Sequence, residues 1–122
     1  MDNSGYMKLN DLKIKVNEKD YAEMIHTITP DSMNLYGLVH GGLYYSLADA
    51  AAGIASRSDG NTYVTLNSNF NYLKAVNEGD LIACATVISR TSKICVISVD
   101  VKDTNDLVVS HGTFTMYKVR LK

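Results

Sequence analysis

Charge of one sign is scarce in this chain as a patch. Its 122 residues carry 12 Lys and Arg against 13 Asp and Glu, a formal net charge of −1, in no long block. A nucleic-acid binder needs a basic face, so that class is set aside. No apolar run approaches the length a bilayer demands, which excludes a membrane-spanning helix. The opening Met1-Asp2-Asn3-Ser4 shows no signal-peptide pattern, and the expected compartment is the cytoplasm. With 2 cysteines there is no disulfide framework, and Cys84 and Cys95 read as free thiols in a reducing compartment. His26, His40 and His111 stand far apart with no acid or thiol at ligand spacing, so no metal site is expected. Internal repeats and low-complexity segments are also missing.

What is present fits one domain over residues 1–122, with 1–10 read as a flexible lead. A hydrophobic fraction of 46% supports one modest core, and oligomerisation would help so short a chain bury more surface. The single proline, Pro30, lies in Thr29-Pro30-Asp31-Ser32, a turn and helix-start signal. Two short strands are expected before it, at 12–16 and 21–28. Residues 42–57, rich in Ala and Leu, form the one convincing helix. Beyond it lie four β-rich segments, 63–73, 81–89, 93–103 and 107–119, joined by short polar turns. Alternation in the first of these sets Val64, Leu66, Phe70 and Tyr72 on one face and Thr65, Asn67, Asn69 and Asn71 on the other. The class is α+β, with one helix covering an antiparallel sheet.

On a helical wheel, Leu43, Leu47, Ala50, Ala51 and Ile54 form an apolar stripe that should face the sheet. Gly42, Ser46, Asp49, Gly53 and Ser56 form a neighbouring stripe of small residues that leaves Asp49 approachable. The bland reading of Asp49 is a solvated surface carboxylate; the chemical one is a catalyst on a close-approach face. At the helix start, Gly41 and Gly42 supply backbone N–H groups without side chains. Those donors and the helix dipole can hold an oxygen that becomes negative. A glycine pair equally serves a tight turn.

Taken together, Asn34-Leu35-Tyr36-Gly37-Leu38-Val39-His40-Gly41-Gly42, followed seven positions on by Asp49, closely resembles the signature of PaaI-type hotdog-fold acyl-CoA thioesterases. The likeness runs from about Tyr21 to about Val119. It implies the hotdog fold, a curved antiparallel sheet wrapped around one long central helix. It further implies that Asp49 is the acidic catalyst, as general base or as nucleophile, and that Gly41 is the oxyanion donor. Asn34 would orient and polarise the thioester carbonyl, and Thr65 would help place water. The site would be shared between the subunits of a homodimer that pairs into a tetramer. Acyl-CoA is then the substrate, with coenzyme A part of it and no separate cofactor.

His40 is expected to fix the loop by bonding to backbone, although its place beside the glycines also suits a base. Gly42 and Tyr45 are expected at the substrate, Tyr45 either narrowing the acyl pocket or packing in the dimer. Arg90 and Lys93, near the turn at 90–93, are candidates for coenzyme A phosphates, as are Lys74 and Arg57. The family's proline after the first post-helix strand is missing from Tyr72-Leu73-Lys74-Ala75, which should loosen that exit. Two rival functions remain: a non-catalytic acyl-CoA sensor of the same fold, and a hotdog dehydratase. The sequence after His40 lacks the run that a dehydratase needs.

Overall fold

The computed structural model describes residues 4–121. In chain order the elements are α1 (Gly5–Leu9), β1 (Lys13–Glu18), β2 (Tyr21–Thr27), a 3-10 turn (Pro30–Ser32), α2 (Gly41–Ser56), a second 3-10 turn (Arg57–Asp59), β3 (Thr62–Tyr72), β4 (Asp80–Arg90), β5 (Ile94–Lys102) and β6 (Val108–Val119). The strands form one antiparallel six-stranded sheet in the order β1-β2-β4-β5-β6-β3. The expected helix and strands are all present, shifted by a residue or two at their ends.

The core lies between α2 and the sheet's inner face. Strand alternation puts Ala22 and Met24 of β2, Leu81, Ala83 and Ala85 of β4, and Ile97, Val99 and Val101 of β5 there, each fully buried. Alanines at three of these positions let the helix sit low on the sheet. The helix contributes Leu43, Leu47, Ala48, Ala51, Ala52 and Ile54, and Ser56 is buried as well. More of α2 is covered than a single stripe would require, because the sheet curls around it. Each large side chain removed from water contributes roughly 1.5–3 kcal/mol.

Cys84 and Cys95 are both free thiols. They sit on paired strands but not opposite each other: Cys84 pairs with Asp100 and Cys95 with Arg90. The exit from β3 is tied down, contrary to the loosening expected without proline. Leu73 and Lys74 donate their N–H groups to Val109 O at 2.9 and 3.1 Å, and the Tyr44 hydroxyl donates to Lys74 O at 3.0 Å. Proline could make neither N–H bond.

The two sheet edges differ. β1 carries Lys13 and Lys15 and a bulge between Ile14 and Val16, the usual guards of an edge. β3 pairs only with β6 and has no charged residue in its 11 positions. Val64, Leu66 and Tyr72 are all exposed along it.

No helix among the described residues is long and apolar enough to cross a membrane.

Candidate active site

Asp49 and Thr65 meet across the gap between α2 and β3. The Thr65 hydroxyl donates to Asp49 Oδ1 at 2.6 Å, and no other described side chain bonds this carboxylate. Simple alternation put Thr65 on the far face from Phe70 and Tyr72, and that expectation is corrected. A bulge between Thr65 and Asn67 inserts one residue. A one-residue slip flips every side chain beyond it. Thr65 therefore shares the helix side with Ser68, Phe70 and Tyr72. Ser68 bonds Tyr45, Phe70 packs on Phe114, and the Tyr72 hydroxyl donates to Gly41 O at 3.0 Å.

Asp49 opens into a cavity of about 650 Å³. One wall is α2, with Tyr45, Ser46, Ala50 and Gly53, continued by Arg57 at its end; another is Tyr63, Val64, Thr65 and Met116. The absence of a side chain at Gly53 makes room for Arg57, whose Nη1 would lie 2.9 Å from a Cβ placed there. The third wall, Ser4, Tyr6, Met7 and Leu12, comes from the N-terminal segment, where a flexible lead is expected over 1–10 and the described residues form α1 with Met7 buried. A five-residue helix is too short to leave a periodic signal.

The helix start is built separately. His40 caps α2: its Nδ1 accepts the Gly42 N–H at 3.0 Å, so that nitrogen carries no proton. The Gly41 N–H makes no hydrogen bond to any described residue. Asn34 closes the loop before the helix. Its Oδ1 accepts N–H groups from Tyr36 and Leu38 at 2.8 and 3.2 Å, and Gly37 turns at φ 78°. With the oxygen engaged, the Asn34 amide nitrogen is the atom left to donate outward. His26, fully inside, bonds Ser32 at the turn leading into this loop and Asp11 O at the foot of α1, at 2.7 and 3.1 Å.

Asn34, His40, Gly41 and Gly42 do not line the Asp49 cavity. The reason is geometric: Gly41 and Asp49 lie eight positions apart on one helix, which is about 12 Å of rise.

Arg90, a candidate for coenzyme A phosphates, is engaged within the chain. Its guanidinium bonds Asp20, Asp59, the Tyr63 hydroxyl and Ser56 O at 2.8–3.1 Å, which ties β4 to the end of α2. These carboxylates hold the guanidinium protonated, against the burial that works the other way. Little of it is left to face a ligand. Lys93 differs. It lines a surface groove of about 550 Å³ with Lys118 and Arg120, and no acidic residue lines that groove.

Residues 36–110 match the thioesterase superfamily, well over half of the chain. The chain belongs to the thioesterase superfamily. Its fold is the hotdog fold, and solved structures of that class are similar over nearly their whole length. A hypothetical thioesterase protein of Streptococcus pneumoniae with coenzyme A is 28% identical, covering 91% of this chain and 88% of that one, with a TM-score of 0.85. A Streptococcus mutans protein bound to acetyl CoA is 29% identical over 88% of each chain, with a TM-score of 0.84. A mutant of the phenylacetic acid degradation protein PaaI from Thermus thermophilus is 25% identical, covering 95% of this chain and all of that one, with a TM-score of 0.90.

Proposed function

We propose that this thioesterase-superfamily chain hydrolyses acyl-CoA thioesters in a site assembled from two copies. The observation that carries this reading is Asp49: a carboxylate fixed by Thr65 at the mouth of a cavity, with an unbonded Gly41 N–H about 12 Å away on the same helix. If two α2 helices lie antiparallel, the start of one comes beside the middle of the other. The uncharged β3 edge supports such pairing, since an unguarded strand is a template for a second copy. The dimers would pair further into a tetramer.

In the proposed site Asp49 of one copy faces Asn34 and Gly41 of the other. The thioester carbonyl oxygen accepts from the Gly41 N–H and from the Asn34 amide, both at the positive end of α2. Water held by Asp49 and Thr65 attacks the carbonyl carbon as Asp49 takes its proton. The tetrahedral intermediate collapses, the C–S bond breaks, and coenzyme A leaves as the thiol with that proton. Direct attack by Asp49, through an anhydride, uses the same geometry. A thioester is activated enough that one carboxylate suffices without a Ser-His pair. One oxyanion donor is worth about 3 kcal/mol in other enzymes. No cofactor is called for beyond the coenzyme A of the substrate. Coenzyme A in the streptococcal structures supports this substrate class.

The test is release of free thiol from a broad panel of acyl-CoAs. Turnover that Asp49→Ala removes, with the fold intact by circular dichroism, is the expected result. Turnover unchanged in Asp49→Ala would overturn the assignment. Coenzyme A binding without any turnover would identify a sensor.

A further inference from the structure

We propose that the N-terminal segment, residues 4–12, is the wall that sets which acyl groups this site accepts, with Met7 as the limiting side chain. The proposal rests on the thioesterase reading and assigns the acyl specificity of that same cavity.

The cavity beside Asp49 has two walls from the body of the fold, α2 on one side and the β3–β6 pair on the other. Without a third wall it would be an open trough along the small residues Ser46, Ala50 and Gly53. Ser4, Tyr6, Met7 and Leu12 close it. An acyl group whose carbonyl is held at Asp49 and whose tail follows this trough meets the segment. The side chains Met7 and Leu12 are apolar and reach the core, at 9% and 2% exposure. A thioether chain of this kind fills irregular space and yields to different shapes. The occupant this wall fits is an apolar acyl group of bounded length.

The segment is tied to the body of the fold at two places. Its C-terminal end is held to the body by His26, which bonds Asp11 O at 3.1 Å, and the segment is folded on itself by the Leu12 N–H, which donates to Met7 O at 2.9 Å. Asp11 itself turns at φ 54°, which breaks α1 from β1. The Ser4 hydroxyl caps α1 by accepting the Met7 N–H. Among the described residues before Met7, the Tyr6 hydroxyl bonds Ser46 Oγ at 2.7 Å. Ser46 stands one turn before Asp49 on the same helix face, so this latch lies directly over the start of the acyl path.

The experiment measures kcat/KM for a graded series of straight-chain acyl-CoAs, from acetyl to palmitoyl, in wild type, Met7→Ala and Tyr6→Phe. Binding of the matching non-hydrolysable alkyl-CoA thioethers is measured by calorimetry in parallel. Met7→Ala is expected to raise the long-to-short ratio of kcat/KM about tenfold or more, the scale of a methylene or two in an apolar pocket. Tyr6→Phe should move the ratio the same way by a smaller factor, and Met7→Leu should restore the wild-type profile. Equal changes at every length, or no change, would mean that α1 only supports the fold, and would overturn the proposal. Should Met7→Ala not fold, Tyr6→Phe and Ser46→Ala carry the test, and unchanged ratios in both overturn it. Thioether binding separates this from the hydrolase reading. A length limit that moves in the variants without any wild-type turnover sinks the hydrolase and keeps the wall. Turnover with an unmoved limit does the reverse, and neither turnover nor binding overturns both.

Discussion

The Thr65 hydroxyl lies 2.6 Å from the Asp49 carboxylate, and the bulge just after Thr65 puts Ser68, Phe70 and Tyr72 on the same helix side of β3. A hydrogen bond to a charged group contributes about 1.5–3 kcal/mol. If it holds Asp49 in its working orientation, Thr65→Val should lower kcat by roughly tenfold to a hundredfold with little change in KM. Steady-state kinetics on any good acyl-CoA would show it. Equal kcat in the two proteins would mean that Thr65 is only a neighbour.

The groove of Lys93, Lys118 and Arg120 makes a separable prediction about coenzyme A. Lys93→Ala should raise KM a few-fold for an acyl-CoA and leave KM for the corresponding pantetheine thioester, which lacks the nucleotide, unmoved. The acyl-CoA value should also rise with salt, since exposed cations are screened. A parallel rise for both substrates would remove Lys93 from nucleotide binding.

Asp59 predicts how the fold responds to acid. Burial by itself would push its carboxyl up. Hydrogen bonds from Tyr63 and Asn61 and the charge of Arg90 outweigh that and hold it at about 2. In the unfolded chain it titrates near the ordinary value of about 3.9. The folded form therefore resists protonation, and this stabilisation is complete above about pH 5 and drains away as pH falls towards 2. The urea midpoint of wild type should drop between about pH 5 and pH 3 more steeply than that of Asp59→Asn. Parallel drops would show that the acid response lies elsewhere.

The sequence made much of this legible, and the exceptions have physical causes. The long helix, the sequence of elements along the chain and the loop from Asn34 to Gly42 follow from period, turn residues and a specific motif, whereas the short polar turn at 77–80 reads as a hairpin and is not one, because β3 pairs with β6 and β4 with β2. The facing of Thr65 does not, because a bulge adds one residue without any compositional mark. Arg90 looked like a free cation beside a turn. Its partners Asp59 and Asp20 lie 31 and 70 positions away, beyond any local reading. Met7 and Tyr6 were passed over because a single short turn of helix has no period to detect, and its value lies in what it covers.

The central claim is that Asp49 of one copy works with Asn34 and Gly41 of another. Asn34→Ala and Asp49→Ala homodimers should each be nearly inactive, since every site lacks one group. Unfolded together in equal amounts and refolded, they should pair at random, so about half the dimers are mixed. A mixed dimer has one site lacking both groups and one complete. About a quarter of wild-type turnover should therefore return, measured against each variant refolded alone. Recovery no greater than the sum of those two controls would contradict the shared site and place the whole reaction within a single chain.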